Sequence, residues 1–171
     1  MIGKGKSISH GVAALEYDLA KEINGQAVAT EIARHELYGC TGAEMVQEMK
    51  PYHIDFPNVK NNCLRFEVSP SIEESATFTD ADWAELGNDF MQRMGLANHQ
   101  YIIIRHSGTE SKKEQAHLHI LANRVSLSGE LYRDNWIGKK ATEAANAIAK
   151  ERNFVQSQDI GKVNKAEIKE A

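Results

Sequence analysis

Two apolar runs separated by a short polar segment constrain the fold of this chain more than any other feature. Residues 101–106 read Tyr-Ile-Ile-Ile-Arg-His, and residues 115–123 read Gln-Ala-His-Leu-His-Ile-Leu-Ala-Asn. β-Branched and aromatic residues favour strands, and the polar residues between the two runs begin with turn formers. The pattern therefore predicts a β-hairpin around which a sheet can form.

Three histidines fall on one side of this predicted hairpin. His117 and His119 project from the same face because strand side chains alternate. If His106 lies opposite His117, the three Cβ atoms are about 5–8 Å apart. Paired histidines on a strand can be merely solvated or hydrogen-bonded, but a third imidazole and an apolar opposite face favour a divalent metal site with open coordination positions.

The rest of the chain alternates predicted strands and helices. Strands are expected near residues 1–8, 28–37, 62–68 and 130–133, and helices over residues 10–23, 42–49, 80–94 and 137–152. Thr41 and Thr79 start two of the helices with a capping-box pattern. This order predicts an α+β fold, in which a central antiparallel β-sheet carries helices on its faces and the histidine hairpin supplies the central strands.

Composition limits the class of protein. A chain of 171 residues with 42% hydrophobic content suits one globular domain. Cys40 and Cys63 are too few for a disulfide framework and are expected as free thiols in a reducing compartment. No apolar run approaches the roughly 20 residues of a membrane span, and the N-terminus lacks the apolar core of a signal peptide. We therefore expect a cytoplasmic protein without a membrane partner.

The net charge of −4 is unevenly distributed. Residues 1–98 hold 8 Lys/Arg against 15 Asp/Glu, whereas residues 99–140 hold 7 against 4. The total argues against indiscriminate binding to nucleic acid, but the positive balance coincides with the histidine hairpin. Local potential, more than the total, decides where a phosphate binds.

Several segments resemble conjugative relaxases, the mobilisation nucleases of the histidine-hydrophobe-histidine (HUH) endonuclease superfamily. Arg105-His106, the segment 116–120 and Asn123-Arg-Val125 are similar to the third relaxase motif, and the likeness extends over residues 1–154, with 155–171 as a polar tail or linker. The resemblance implies site- and strand-specific nicking of single-stranded DNA at a plasmid origin of transfer. It also implies Mg²⁺ or Mn²⁺, a 5′-phosphotyrosyl intermediate, initiation of conjugative mobilisation, and accessory mobilisation proteins as partners.

The resemblance points to Tyr17 as the catalytic nucleophile. Residues 11–19 are similar to the first relaxase motif, in which a tyrosine lies on or beside the first helix. Val12, Leu15 and Leu19 form the predicted buried stripe of that helix, and Tyr17 falls off it. Tyr38, just after a predicted strand, is the main alternative nucleophile.

One departure from the family pattern concerns the first histidine. Many relaxases have His-x-Asp there, whereas this chain reads His106-Ser107-Gly108. Glu110 and Glu114 are more simply interpreted as solvated loop charges, and orientation of a histidine by one of them is the alternative.

Basic residues near the N-terminus, in the predicted hairpin loop and at or after the end of the hairpin are candidates for contacts with DNA phosphates. They are Lys4, Lys6, Lys112, Lys113, Arg124, Arg133, Lys139 and Lys140. Each alone is more often a solvated surface charge. Trp136 and Tyr132 could stack on bases or belong to the core or its rim.

Other functions remain open from the sequence. A rolling-circle replication initiator or a single-strand transposase of the same superfamily would carry the same three-histidine hairpin. A non-catalytic single-stranded DNA-binding module would bind DNA without nicking it. A metal enzyme acting on a small molecule is less well supported, because the sequence has no nucleotide-cradling glycine loop.

Overall fold

Within residues 1–108 and 115–160, which the computed structural model describes, the fold consists of a five-stranded sheet, a small hairpin and helices. The elements in chain order are β1 (Ile2–Ile8), α1 (Gly11–Leu19), β2 (Glu22–Ile23), β3 (Gln26–Ala27), β4 (Ala29–His35), α2 (Gly42–Met49), β5 (Cys63–Ser69), α3 (Ile72–Ser75), α4 (Asp80–Arg93), β6 (Tyr101–His106), β7 (His117–Asn123) and α5 (Ile137–Glu151). Two 3-10 helices, Lys50–His53 and Ser157–Asp159, accompany them.

The five long strands form one sheet in the order β1-β5-β7-β6-β4. Every neighbouring pair is antiparallel. β6 and β7 pair directly and lie inside the sheet, so ladders on both sides of each strand hold the histidine hairpin in register. The predicted α+β class, with the hairpin on central strands, is confirmed.

One face of the sheet packs against α4 and α5. Phe66 and Ile120 from the sheet belong to the same buried cluster as Phe90 of α4, and the Phe66 and Phe90 rings meet edge to face with centroids 5.5 Å apart. α5 approaches β1 so closely that a Cβ on Gly3 would collide with the carbonyl of Ala141. This apolar layer supports the hairpin from behind and provides much of the hydrophobic stabilisation.

Among the described helices, α1 and α2 pack on the other face. Leu15 of α1 and Met45 of α2 pack there with Ile102, Ile104 and Leu121. Because side chains alternate along each strand, the same face continues beyond these apolar contacts with a polar set that includes His106, buried beside Asp18 of α1. That set, which we call the open half-face, consists of Lys4, Lys6, Arg65, Glu67, His106, His117 and His119.

The first helix is shorter than its sequence pattern predicts. α1 ends at Leu19, and Ile23 lies instead in β2, which pairs with β3. Asn24 and Gly25 have φ values of 51° and 78°, the left-handed conformation that a two-residue hairpin turn requires. The prediction of a helix to residue 23 is wrong because Asn-Gly here connects two short strands.

One further predicted strand is shorter in the structure, and one predicted helix cap is present. The strand predicted for residues 130–133 is reduced to a single bridge between Val125 and Leu131. The capping box predicted for α4 is present, since the Thr79 hydroxyl accepts from the Asp82 amide at 3.2 Å and the Asp82 carboxylate accepts from the Thr79 amide at 2.8 Å. No helix among the described residues has both the length and the apolar character needed to cross a bilayer.

Candidate active site

The three histidines converge at one end of the hairpin. His106 is the last residue of β6 and pairs with His117, the first residue of β7, which is the predicted register. One ligand atom from each imidazole lies within 4.8 Å of the other two. Strand pairing therefore brings three nitrogen donors, including one from His119, around a single point.

Hydrogen bonds fix which nitrogens face that point. His117 Nδ1 lies 2.8 Å from the Gln115 carbonyl, and His106 Nε2 lies 2.7 Å from the Asp18 carbonyl. Since a carbonyl only accepts, these nitrogens carry the protons, and His106 Nδ1 and His117 Nε2 carry lone pairs.

The spacing of two of the three donors is close to that around a divalent ion. His117 Nε2 and His119 Nε2 are 3.0 Å apart, the distance of a hydrogen bond between the two rings. Two nitrogens bound at about 2.1 Å and at right angles around one ion would be separated by about 3.0 Å. His106, His117 and His119 would therefore hold a metal ion through three imidazoles, leaving further coordination positions for substrate oxygens.

Burial keeps two of these imidazoles neutral. Burial, reinforced by repulsion from His106 and His117, lowers the pKa of His119 to about 3. Burial also lowers the pKa of His106, although the carbonyl and the charge of Asp18 act in the opposite direction. A neutral imidazole is the form that coordinates metal, so both residues are available to a cation at neutral pH.

Asp18, near the end of α1, connects that helix to the histidines. It is only 1% exposed, and its carboxylate accepts from the Arg65 guanidinium at 2.6 and 3.3 Å. The same carboxylate lies 3.9 Å from His119 Nδ1, while its backbone carbonyl accepts from His106. A buried carboxylate requires such a partner cation, and here the pair also faces the metal-ligand candidates.

The sequence pattern missed Asp18 because the buried stripe of α1 is rotated from the predicted one: Leu15 is buried as predicted. Asp18 lies on the buried face with Ala14 and Leu15, whereas Val12, which the pattern assigned to the stripe, is 40% exposed. The available signal was helical spacing, since a carboxylate three and four residues after two apolar positions shares their face.

Tyr17 lies directly before Asp18 and points away from the core. Its side chain is 58% exposed. The phenolic oxygen accepts a hydrogen bond of 2.9 Å from Lys21 Nζ, just beyond the end of α1, and that ammonium is 5.1 Å from the ring centroid. A solvent-accessible phenol thus lies beside a positive charge and next in sequence to the residue that contacts His106.

The family assignment follows from a match to the sequence. A family model described as "Relaxase: MobA/VirD2-like, nuclease domain" matches residues 17–154, a range that includes Tyr17 and all three histidines. The chain belongs to the MobA/VirD2-like relaxase nuclease family. Comparison with curated proteins and with solved structures finds no match. Membership makes the chain a DNA-nicking nuclease domain that acts on single-stranded DNA.

The alternative nucleophile of the relaxase domain lies far from the histidines. β4 starts with Ala29 opposite His106 and runs to His35 at the other end of β6, a strand length of about 20 Å. Tyr38 follows three residues later, and its hydroxyl donates to Glu36 at 3.1 Å. The structure brings Tyr17, but not Tyr38, to the end of the sheet that carries the triad.

Lys4 and Lys6 are predicted DNA contacts that share a cavity with one histidine of the triad. Both are exposed on β1 and belong to the open half-face. Together with Arg65, Glu67 and His119 they line a cavity of about 220 Å³. The relaxase domain therefore presents three cations beside one of its metal-ligand candidates.

Arg133, Lys139 and Lys140 surround the start of α5. Arg133 and Lys139 are exposed. The Lys140 ammonium lies 5.4 Å from the ring centroid of Tyr132, whose hydroxyl donates to the Met94 carbonyl at 2.9 Å. These cations form a second group, beside β1 rather than beside the histidines.

Arg124 differs from the other predicted DNA contacts. Its side chain is 12% exposed, and it donates to the carbonyls of Tyr132 and Asn61 at 2.9 and 3.1 Å. It also pairs with Asp134 at 3.2 Å. The guanidinium thereby joins three segments of the fold.

Four predicted residues lie outside the described part of the chain. They are the candidate phosphate contacts Lys112 and Lys113 and the candidate histidine partners Glu110 and Glu114.

Proposed function

We propose that this relaxase domain cuts one strand of DNA at an origin of transfer by attack of Tyr17, and so starts conjugative mobilisation. In this step the Tyr17 oxygen bonds to the scissile phosphorus as the phenolic proton is released. The bond from phosphorus to the 3′ oxygen breaks, that oxygen takes up a proton, and the 5′ phosphate stays attached to the tyrosine. One phosphodiester replaces another, so the strand can later be resealed.

The observation that carries this proposal is the position of Asp18 between the tyrosine and the histidines. Its carbonyl accepts from His106, its carboxylate faces His119, and its backbone continues directly into Tyr17. Nucleophilic catalysis requires the attacking oxygen and the groups that stabilise the phosphate to be held in one place. Because Asp18 contacts two of the histidines and directly follows Tyr17, it supports such an arrangement.

His106, His117 and His119 would hold a divalent ion, Mg²⁺ or Mn²⁺, which when bound neutralises charge on the phosphate oxygens. Lys21 would act on the attacking group, the phenolic oxygen of Tyr17. An ammonium 2.9 Å from the phenolic oxygen stabilises the negative charge that this oxygen develops as it loses its proton. Lys4 and Lys6 would contact phosphates of the strand as it crosses the open half-face.

Related functions in the same superfamily use similar sites. A rolling-circle initiator or a single-strand transposase would also place three histidines on a hairpin, and the match to the relaxase family favours mobilisation over both. A non-catalytic binding module would have no use for an exposed tyrosine beside a lysine and a histidine triad.

A nicking assay on single-stranded DNA from candidate transfer origins tests this proposal. With Mn²⁺ we expect one cut in one strand and a protein–DNA adduct that survives denaturing electrophoresis. Excess chelator, added before the DNA, should prevent both the cut and the adduct. Binding without cleavage under every divalent ion would leave only a binding module, and digestion to short fragments without an adduct would contradict the tyrosine mechanism.

Replacing Asp18 should weaken the metal site. We expect Asp18→Asn to lower Mn²⁺ affinity about 10- to 100-fold, because it removes a negative charge 3.9 Å from His119 Nδ1 and leaves the Arg65 cation unneutralised beside the site. Calorimetric titration with Mn²⁺, well below the melting temperature of each variant, measures the effect apart from stability. Glu22→Gln, which removes an exposed carboxylate from β2, is the matched control. Equal Mn²⁺ affinity in Asp18→Asn and the control would remove Asp18 from the site.

A further inference from the structure

Trp136 is exposed in a way that folding alone does not favour. It directly precedes α5 with φ 59° and ψ 27°, a left-handed conformation that residues other than glycine rarely adopt. Its side chain is 79% exposed. The other tryptophan of the chain, Trp83, is 3% exposed and packs edge to face against Phe78 at 5.0 Å between centroids. Two unfavourable features at one aromatic residue indicate a binding role.

The segment that carries Trp136 is fixed against the edge of the sheet. Asp134 accepts from the Ser7 hydroxyl of β1 at 2.7 Å and pairs with Arg124. Gly138 packs against β1 as well, since a Cβ built on it would lie 3.7 Å from the Gly5 carbonyl. The indole is thus presented from a defined position beside β1.

Cations surround this indole. Lys139, Lys140 and Glu143 line a cavity of about 270 Å³ with it, and Arg133 is exposed three residues before it. Within the described residues, Arg133 forms no ion pair, and Lys139 approaches Glu143 only at 3.9 Å. An exposed aromatic ring bordered by cations suits a single-stranded nucleic acid, whose bases stack while its phosphates pair.

The Trp136 segment and the triad meet at the β1 edge of the sheet from opposite faces. α5 packs on the face of β1 that carries Gly3 and Gly5, whereas Lys4 and Lys6 project from the face of the histidines. β1 is the edge strand of the sheet, and β5 alone separates it from β7, a distance of about 10 Å. Lys4 pairs in register with Glu67, which pairs with His119. A strand bound at the histidines would cross β5 and β1 beside the lysines and then pass around the exposed β1 edge to reach the indole.

We propose that Trp136 is a stacking platform for an unpaired base of the substrate strand, outside the cleavage step, with Arg133 and Lys139 contacting the neighbouring phosphates. This inference rests on the proposed function, because it requires single-stranded DNA as the ligand. It adds a contact that positions the strand by a base that does not react.

Tryptophan fluorescence tests the platform without any cleavage. In Trp83→Phe, Trp136 is the only tryptophan, so stacking should produce a saturable loss of its emission on titration with oligothymidylate. Anisotropy of a labelled oligothymidylate measures binding in the same samples. In the otherwise unchanged chain, Trp136→Ala should weaken this binding about tenfold, and Ile54→Ala, which truncates another exposed apolar side chain, should not.

The readouts separate failure of the platform from failure of the proposed function. Saturated binding by anisotropy with unchanged Trp136 emission would overturn the platform and leave the relaxase mechanism in place. Absence of any binding to single-stranded DNA would overturn both. Combined Lys4→Ala and Lys6→Ala should reduce the salt dependence of binding yet leave the emission loss at saturation, because the stacking contact is retained.

Discussion

Replacing Tyr17 with phenylalanine is expected to abolish DNA nicking and the covalent protein–DNA adduct while leaving Mn²⁺ and DNA binding intact. The substitution removes only the phenolic oxygen, which is the proposed attacking atom. Loss of a covalent nucleophile reduces turnover by about 10⁴-fold or more in well-studied enzymes. Cleavage of labelled single-stranded DNA, followed by denaturing electrophoresis, measures both losses.

Tyr38→Phe is the matched control for this experiment. Tyr38 is 75% exposed and lies beyond the opposite end of the sheet, so its hydroxyl can be removed without touching the triad. We expect normal nicking in this variant. Peptide mapping of the adduct in the unaltered protein provides the decisive observation, because DNA attached to the peptide that contains Tyr38 would overturn the assignment of Tyr17.

In the proposed attack, Tyr17 acts together with the neighbouring Lys21. The phenol has to release its proton as its oxygen attacks the phosphate. The Lys21 ammonium lies 2.9 Å from the Tyr17 oxygen and would stabilise the phenolate as it forms. Lys21 lies just beyond the end of α1 at Leu19, so the chain that leaves the helix brings the ammonium back to the phenol.

The histidine hairpin could be predicted because its determinants are local. Alternation with period two sets the faces of β6 and β7, and the polar segment between them permits antiparallel pairing, so the register of His106 and His117 followed from the sequence. The first helix was harder to predict. Its pattern admitted continuation to Ile23, but the Asn-Gly turn stabilises a short hairpin there instead.

The environment of the triad could not be predicted in the same way, because it depends on how α1 docks on the sheet. Arg65 lies 47 positions after Asp18 in the chain, and their ion pair forms only when α1 packs on β5. The sequence offered acidic residues after His106 as partners for the imidazoles. In the structure a carboxylate from α1 faces His119, which no local motif specifies.

Substituting His117 or His119 with alanine is expected to have the second large effect, the loss of both tight Mn²⁺ binding and nicking. Each change removes one of three nitrogen donors that converge within 4.8 Å. We expect Mn²⁺ affinity to fall by about 100-fold or more, since even groups that only orient a ligand contribute up to about that factor. Calorimetry measures affinity, and single-turnover cleavage measures the nicking rate.

His10→Ala is the matched control for the triad, because His10 is exposed and precedes α1 at the end remote from Tyr17. It should bind Mn²⁺ and nick DNA normally. Excess chelator should make the unaltered protein as inactive as His119→Ala, and added Mn²⁺ should restore only the unaltered protein. If His119→Ala binds Mn²⁺ as tightly as His10→Ala, the imidazoles do not form the metal site, and the phosphate must be stabilised by the nearby cations Lys21 and Arg65 instead.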